Sequence, residues 1–190
     1  MQSTAILWRR LDRAGHEVGR LIENVGERIV EGTAVFAEQG HACRLDYRVA
    51  CDEAWRTVSA KVSGWLGERA IAIDIAADIR RRWFLGGVEC ADVHGCDDID
   101  LSFSPITNLF PIRRLRLHIG ERSAVRAAWL DFPACRLEPL EQVYERTGDC
   151  TYRYESGGGR FVATLQVNAA GLVTSYPGLW HEEGAPSGTD

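Results

Sequence analysis

Lysine is nearly absent from this sequence of 190 residues, since Lys61 stands alone beside 21 arginines. We interpret the imbalance mainly as the base composition of a GC-rich bacterial genome, although arginine also favours planar contacts with carboxylates and phosphates. Acidic residues outnumber basic residues by 27 to 22, and the formal net charge is −5 at pH 7. Such a chain offers no general surface for nucleic acid, so we expect no nucleic-acid partner.

Long apolar runs are also missing. None approaches the roughly 18 residues that a helix needs to cross a bilayer, and residues 1–13 lack the apolar segment and cleavage site of a secretory signal. We therefore expect a soluble, cytoplasmic protein with no membrane span, in which the six cysteines are reduced thiols. The length and a hydrophobic content of 45% predict one β domain over residues 1–180 and a short polar tail over residues 181–190. The oligomeric state stays open.

The common signatures of catalysis and of metal or cofactor binding are missing as well. There is no G-x-S-x-G elbow and no H-x-x-E-H pattern. The glycine turn at residues 157–159 has neither the lysine nor the following helix of a phosphate-binding loop. Two cysteine–histidine combinations lack CxxC spacing and are interpreted as core or incidental side chains: His41-x-Cys43 and Cys90-x3-His94-x-Cys96. We predict no catalytic residue, no metal ligand and no cofactor.

Short alternating segments dominate what is present, with turn residues at about every tenth position. Residues 43–49 alternate between apolar and charged side chains, and the Ser156–Gly159 turn joins two further segments into a hairpin. Residues 1–24 fit a helix or a hairpin equally well. Residues 68–82 fit both periods, and their β-branched content favours a strand. About nine to eleven strands are predicted, which indicates an all-β fold that closes or curls into a barrel, half-barrel or sandwich.

The stretch from Ile99 to Ile119 is the most unusual part of the chain. Its pattern predicts two alternating strands joined by an elbow of nine residues, 104–112, which contains two prolines. On the first strand Asp98 and Asp100 share a face, which would allow paired carboxylates for acid–base chemistry. We favour a solvated strand face, and the two residues could also anchor an arginine. The second strand opens with two arginines, and its alternation places the first of them among apolar side chains.

Arg113 is this first arginine, and a guanidinium on an apolar face needs a partner or a ligand because an unpaired buried charge is costly. Asp131 lies on the apolar face of a later predicted strand. We predict that Arg113 and Asp131 lie close together and that Arg114, on the opposite face, does not join them. Two interpretations remain open: a buried ion pair that fixes the elbow, or a contact with an anionic or polar headgroup.

The same stretch carries a family resemblance. The segment S-P-I-T-N-L-F-P-I-R-R-L, with D-I-D-L just before it, resembles a motif of the bacterial family named "putative glycolipid-binding". The resemblance continues through A-A-W-L-D-F-P, E-Q-V-Y-E-R, Y-R-Y-E-S and G-L-V-T-S-Y-P-G-L-W, and it reaches back to Y-R-V-A-C-D-E-A-W-R-T. It covers most of residues 26–180. Ser104 and Phe110 depart from the threonine and leucine expected there, and they leave the two prolines and the arginine pair intact.

The resemblance implies a fold like the LolA/LolB lipoprotein carriers, which is a strongly curved, mainly antiparallel sheet in an unclosed β-barrel with few short helices. It implies a non-enzymatic protein that holds an amphipathic ligand, a glycolipid or fatty-acyl compound, in the concave face. Two alternatives remain: a small-molecule enzyme on the same half-barrel, and a structural or interaction module without a ligand. The family motif also includes Asp100. The candidate ligand-binding residues, with Asp131 added from the strand phasing, are Asn108, Arg113, Arg114, Trp129, Asp131, Gln142, Tyr144, Tyr154, Tyr176 and Trp180.

Overall fold

The computed structural model describes residues 2–184, and most of them lie in β-strands. The strands are β1 (Gln2–Arg10), β2 (Gly15–Asn24), β3 (Glu27–Glu38), β4 (His41–Cys51), β5 (Thr57–Leu66), β6 (Arg69–Ala77), β7 (Trp83–Leu85), β8 (Val88–Glu89), β9 (Asp98–Leu101), β10 (Arg122–Asp131), β11 (Arg136–Gly148), β12 (Thr151–Ser156), β13 (Phe161–Val167), β14 (Val173–Tyr176) and β15 (Trp180–Glu182). Two 3₁₀ helices cover Ala91–Val93 and Pro105–Asn108, and the latter continues into the α-helix α1, Leu109–Leu115. No helix among the described residues is long and apolar enough to cross a membrane.

All fifteen strands belong to one sheet, in the order β8-β7-β6-β5-β4-β3-β2-β1-β15-β14-β13-β12-β11-β10-β9. The first eight strands follow one another in this order, as do the last seven, and the antiparallel pairing of β1 with β15 joins the two halves. Every neighbouring pair is antiparallel except β9 and β10, which run parallel. Within residues 2–184 the sheet has free edges at β8 and β9. The predicted all-β, mainly antiparallel and unclosed fold is confirmed.

The sheet curls strongly enough to bring distant strands together. Thr57, at the start of β5, donates its backbone N–H to the carbonyl of Asp97 at 2.9 Å, and its hydroxyl accepts the backbone N–H of Ile99 in β9 at 3.0 Å. Ten strands separate β5 from β9 in the order of the sheet. This contact therefore requires the two halves of the sheet to face each other across a shared interior.

The ambiguous segments resolve into strands. Residues 1–24 contain the hairpin of β1 and β2 rather than a helix, and the segment 68–82 contains strand β6, as its β-branched content predicts. Fifteen strands are found within residues 2–184 where about nine to eleven were expected, because several are too short to show a pattern of their own. The polar tail predicted over 181–190 overlaps the end of β15, and residues 185–190 lie outside the described part of the chain.

The second strand predicted in the stretch around the elbow is wrong, because the chain forms α1 there. The Ser104 side chain accepts the backbone N–H of Ile106 at 3.2 Å and so caps the turn. Pro105 follows at the first position of the 3₁₀ helix, where its missing N–H leaves no bond unmade. The helix ends at Arg116, whose φ of 48° is left-handed. A helical turn changes the phase of every side chain in the predicted strand.

The predicted contact between Arg113 and Asp131 is therefore also wrong. Arg113 bonds Oε1 of Glu23 at 2.9 Å and remains half-buried. Asp131 lies 3.7 Å from the guanidinium of Arg136, its cross-strand partner. Arg113 and Asp131 therefore do not form the buried pair of opposite charges that the strand alternation indicated.

Arg114 makes the buried ion pair instead. Its Nε bonds one carboxylate oxygen of Asp98 at 3.2 Å, and its Nη2 contacts the other oxygen. Asp98 is 1% exposed, so the predicted solvated face is wrong for Asp98 and the arginine anchor is confirmed for it, while Asp100 stays partly accessible. The pair fixes α1 to the start of β9.

The connection between β9 and β10 fills much of the sheet's inner face. Ile106 and Leu109 are fully buried, and Phe110 is 1% exposed. A Cβ at Gly19 in β2 would overlap the Cδ1 atom of Ile106, so the connection packs directly against the strands. These three side chains belong to the single hydrophobic cluster that unites both halves of the sheet. The interior is thus mostly occupied by the protein's own side chains.

Candidate functional site

A cavity of about 240 Å³ remains beside the filled interior, and we call it the tyrosine cavity. Five aromatic side chains contribute to its wall: Trp129, Tyr154, Phe161, Tyr176 and Trp180. Five polar side chains share it with them: Asp100, Ser102, Ser104, Asn108 and Ser156. Leu101, Leu140 and Leu179 complete the lining. The mixture of rings and hydrogen-bonding groups sets this cavity apart from the apolar core beside it.

The aromatic wall follows from the register of the strands. Tyr154 in β12 lies directly opposite Tyr144 in β11, and the ring centroids are 5.1 Å apart. Tyr176 in β14 lies opposite Trp180 in β15, at 5.6 Å, and is 6.0 Å from Tyr154. Tilted and edge-to-face rings at these distances attract one another beyond their burial. Alternation along four strands thus builds one continuous aromatic surface.

Hydrogen bonds hold the polar side chains in place. Nε2 of Gln142 donates to Oδ2 of Asp100 at 2.6 Å and to the hydroxyl of Tyr154 at 3.0 Å. The hydroxyl of Tyr144 donates to Oδ1 of Asn108 at 2.8 Å. Gln142 and Asn108 are almost fully buried. Locked rotamers of this kind present a preorganised set of donors and acceptors to a ligand.

Asp100 is the carboxyl group of the cavity wall. It is enclosed by protein, while the cavity keeps part of its surface accessible. Burial raises its pKa to about 6, and the charge of Asp98 acts in the same direction. The hydrogen bond from Gln142 opposes this effect by stabilising the charged form. The group therefore changes its charge close to neutral pH.

A second carboxyl group, Glu17 in β2, lies behind the cavity wall. It is 1% exposed, and its Oε1 accepts the hydroxyl of Tyr47 at 2.6 Å and the hydroxyl of Ser104. Burial raises its pKa to about 7, against the hydrogen bonds from Ser104 and Tyr47 and the charge of Arg10. Since Ser104 also lines the cavity, it links Glu17 to this space.

The structure separates the ten predicted site residues into three groups. Five of them line the tyrosine cavity: Asn108, Trp129, Tyr154, Tyr176 and Trp180. Gln142 and Tyr144 bond lining residues from behind. Arg113 borders two open clefts of about 520 and 500 Å³ that share no lining residue with the cavity, and Arg114 and Asp131 border none of the three spaces.

Sequence reasoning found Asn108 but missed most of the polar side of the site. Asp100 belongs to the family motif but was not among the predicted site residues, Ser104 was noted only as a departure from the motif, and Glu17 was not considered. Glu17 carries a usable signal, because it stands two positions from Gly19 and four from the buried Leu21 on one face of β2. That signal depends on reading residues 1–24 as a hairpin, which the sequence left undecided.

The fold and the cavity define a class of protein: an unclosed antiparallel half-barrel with a small, half-open cavity lined by aromatic side chains and one carboxyl group. A family model described as "Putative glycolipid-binding" matches residues 5–182, and the chain belongs to this family. The crystal structure of a DUF1089 family protein from Pseudomonas aeruginosa, at 1.80 Å resolution, is similar, with 33% identity and a TM-score of 0.77. The similarity covers 87% of this chain and 91% of that one. A search of curated proteins found no match. The likeness to the LolA/LolB carriers and the bacterial origin stay predictions.

Proposed function

We propose that this protein binds an amphipathic ligand of the glycolipid type and that the tyrosine cavity receives the polar headgroup. The observation that carries the proposal is the wall of this cavity, where rings such as Tyr154 and Trp180 stand beside Asp100 and Asn108. Aromatic side chains cover the C–H faces of a sugar ring, while carboxylate and amide groups bond its hydroxyls. The family description is consistent with such a ligand.

The volume of the cavity limits what it holds. Pockets that enclose a drug-sized ligand measure about 300–1,000 Å³, and the tyrosine cavity measures about 240 Å³. It therefore accommodates one headgroup and no acyl chain. The sequence placed the apolar part of the ligand in the concave face, but Ile106, Leu109 and Phe110 occupy that space. We propose instead that the chain leaves past Phe161, which lines the cavity and is 37% exposed.

A cytoplasmic location and a purely binding role are part of the same proposal. All six cysteines are free thiols, which is the state that a reducing compartment maintains. The partner proposed is the amphipathic small molecule itself.

Two measurements test the proposal. Organic extraction of the purified protein followed by mass spectrometry should recover a glycolipid or a related amphipath. Titration with octyl β-glucoside below its micelle concentration, followed by calorimetry, should show saturable binding. Recovery of no amphipath together with no binding would leave the structural or interaction module as the better explanation, which the filled inner face also favours.

Two tyrosines of β12 provide a matched pair of variants. Tyr154 lines the tyrosine cavity, while Tyr152 lines the cleft beside Arg113. Tyr154→Leu should weaken octyl β-glucoside binding by about tenfold, which corresponds to ~1.4 kcal/mol and is in the range of one aromatic contact. Tyr152→Leu removes an equal ring from the same strand and should leave the affinity unchanged. Equal losses in both variants would place the ligand elsewhere.

A second candidate function is catalysis in the same cavity. It is favoured by Asp100 and Glu17, two enclosed carboxyl groups whose pKa values burial raises to about 6 and about 7. Groups that change charge near neutral pH are suited to general acid–base work. Incubation with p-nitrophenyl glycosides and esters tests this function, because turnover that Asp100→Asn abolishes would establish it. Absence of turnover in a protein that binds octyl β-glucoside favours the binding role.

A further inference from the structure

Asp100, which lines the tyrosine cavity, is enclosed by protein without a cationic partner among residues 2–184. Its hydrogen bond comes from the neutral amide of Gln142, at 2.6 Å, and this bond alone opposes the effect of burial on its pKa. Asp98, two positions earlier, is enclosed to a similar degree and bonds the guanidinium of Arg114 through both oxygens. An enclosed carboxylate without a counter-charge is costly. A positive charge from outside the chain would balance Asp100.

One oxygen of Asp100 is free to meet such a charge. Gln142 bonds Oδ2, and Oδ1 has no side-chain partner in the described part of the chain. Oδ1 is not among the buried polar atoms that the protein seals from solvent. Because the residue lines the tyrosine cavity, its carboxyl group offers an acceptor to a ligand in that space.

Aromatic side chains of the cavity wall adjoin this carboxyl group. Trp129 in β10 is the register partner of Asp100 in the neighbouring strand β9, and both residues line the cavity. Tyr154 is close as well, because Nε2 of Gln142 donates both to Oδ2 of Asp100 and to the Tyr154 hydroxyl, at 2.6 and 3.0 Å. The carboxyl group and the Tyr154 hydroxyl thus share one donor.

The rings continue away from Asp100 as one group. Tyr154, Phe161 and Tyr176 contact one another with centroids 6.0–6.1 Å apart, and Trp180 follows Tyr176 at 5.6 Å. The face of an aromatic ring carries partial negative charge and attracts a cation within about 6 Å of its centroid. Rings of this kind hold ammonium groups in proteins, and an ionised carboxylate beside them adds a full counter-charge.

The nearby cations do not oppose a positively charged ligand. No lysine, arginine or histidine of the described residues lines the cavity. Arg114 lies behind it and is neutralised by Asp98. Arg10 lies 5.0 Å from the ring centroid of Trp180, but both oxygens of Asp12 accept its Nε and Nη2 at 3.1 Å each. The charge of an ionised Asp100 therefore leaves the cavity negative.

We infer that the headgroup bound in the tyrosine cavity carries a positively charged nitrogen, which Asp100 and the neighbouring rings hold together. This inference rests on the proposed function and adds the charge of the headgroup. An amino sugar and a quaternary ammonium group share this chemistry. The first donates N–H bonds to Oδ1 of Asp100, while the second has no N–H and depends on its charge and on the rings.

Three amphipaths with the same octyl chain test the inference on the unmodified protein. They are octyl β-glucoside, octyl 2-amino-2-deoxy-β-glucoside and octyltrimethylammonium. The pKa of Asp100 is about 6, so the group is mostly ionised at pH 7. Calorimetry at this pH, below all three micelle concentrations, should give at least one of the two cations an affinity about tenfold or more above that of the neutral glucoside.

The possible results separate the inference from the proposed function. Binding of the glucoside as tightly as both cations would overturn the inference and leave the proposed function standing. Failure of all three amphipaths to bind would refute the proposed function itself. Binding of the cations alone would support the positively charged nitrogen and remove the neutral sugar from the proposed function. A stronger gain for the amino sugar than for octyltrimethylammonium would assign the contact to N–H bonds with Asp100.

The variant Asp100→Asn tests which group holds the charge. Its amide oxygen can still accept the bond from Gln142, and the charge is removed. The preference for the cations should fall to less than about threefold, while octyl β-glucoside should bind nearly as before. Asp131→Asn, which removes an equal charge from a residue that borders none of the three spaces, should keep the preference. A preference that persists in Asp100→Asn would place the cation elsewhere and overturn the inference.

A variant of the aromatic wall keeps the inference testable if Asp100→Asn fails to fold. Trp129 is half-buried, so Trp129→Leu should fold. It should weaken binding of octyltrimethylammonium by about fivefold or more, because the ring beside Asp100 is lost. Trp65→Leu, on an exposed tryptophan of β5, is the control and should leave the affinity unchanged. Equal affinities in the two variants would contradict the inference.

Discussion

The buried pair of Asp98 and Arg114 gives the sharpest stability prediction, through the substitution Arg114→Met. Asp98 is 1% exposed and bonds Arg114 through both carboxylate oxygens. Methionine retains most of the side-chain volume and removes the charge, so a buried carboxylate loses its main partner. Breaking a buried pair in this way costs ~3–5 kcal/mol. That is a large share of the ~5–15 kcal/mol that stabilises a typical domain.

The neighbouring Arg113 supplies a matched control on the same helical turn. Its side chain is half-buried and bonds Glu23, which is itself partly exposed, and its guanidinium lies 4.7 Å from the ring centroid of Trp55. An exposed ion pair contributes ~0.2–1 kcal/mol and a cation–π contact about 0.5–1 kcal/mol. Arg113→Met should therefore cost about 1–2 kcal/mol. The predicted strand would have made the substitution of Arg113 the more destabilising one. Because the chain forms α1 there, the larger loss of stability is expected for Arg114.

Urea denaturation at pH 7.5, fitted for the midpoint and slope, measures both free energies of unfolding. Equal losses in the two variants, or a loss below about 1 kcal/mol for Arg114→Met, would refute the reasoning. The pH dependence gives a second check. Burial holds the pKa of Asp98 above its usual value even with Arg114 present, and removal of Arg114 raises it further. A protonated Asp98 needs no counter-charge, so the deficit of Arg114→Met should shrink as the pH falls towards 5.

Two further predictions concern the inner face. Because burial raises the pKa of Glu17 to about 7 in the folded state, folding takes up a proton and the stability from this group is lost as the pH rises from about 4.5 through 7. Relative to the unmodified protein, Glu17→Gln should therefore gain about 2–3 kcal/mol between pH 5 and pH 8 in urea denaturation, and a constant difference would contradict this. A Cβ at Gly32 would overlap the Tyr47 hydroxyl and the carbonyl of Val18, so Gly32→Ala should cost ~1–3 kcal/mol in thermal unfolding. Gly148→Ala, where a Cβ meets nothing closer than 3.4 Å, is its control and should be near neutral.

Alternation with period two was sufficient to predict an all-β fold, because each strand buries one face on a common interior, while the unclosed half-barrel was expected only from the family resemblance. The strand β4 shows this directly, since Cys43, Leu45, Tyr47 and Val49 are buried between exposed or half-exposed neighbours. The anchor role of Asp98 was also within reach, because a carboxylate that a strand buries needs a partner. These inferences depend only on near neighbours in the chain.

The elbow could not be predicted because its local pattern fits two structures. Leu115 and Leu117 continue a strand pattern, while Ile106, Leu109 and Phe110 have the spacing of three and four that a helical turn requires. Packing against the sheet decides between them. The partner of Arg113 is likewise a long-range choice, because Glu23 lies 90 residues away in the sequence. Tertiary contacts, rather than the local sequence pattern, determine both the conformation of the elbow and the partner of Arg113.

The filling of the inner face also decides which half of an amphipath the protein can recognise. Burial of an aliphatic or phenyl side chain contributes about 1.5–3 kcal/mol, so displacing Ile106, Leu109 and Phe110 would forfeit roughly 5–9 kcal/mol. An acyl segment of about ten carbons entering in their place would regain ~0.8 kcal/mol per methylene, or about 8 kcal/mol. The exchange has almost no net driving force, and it would separate α1 from the strands it packs against. A headgroup entering the existing tyrosine cavity displaces no side chain and meets its aromatic and polar wall. Affinity should therefore follow the headgroup and vary little with acyl length, a dependence that titration with hexyl, octyl and decyl β-glucosides below their micelle concentrations would measure. A gain of the full ~0.8 kcal/mol for each added methylene would show instead that the acyl chain enters the interior.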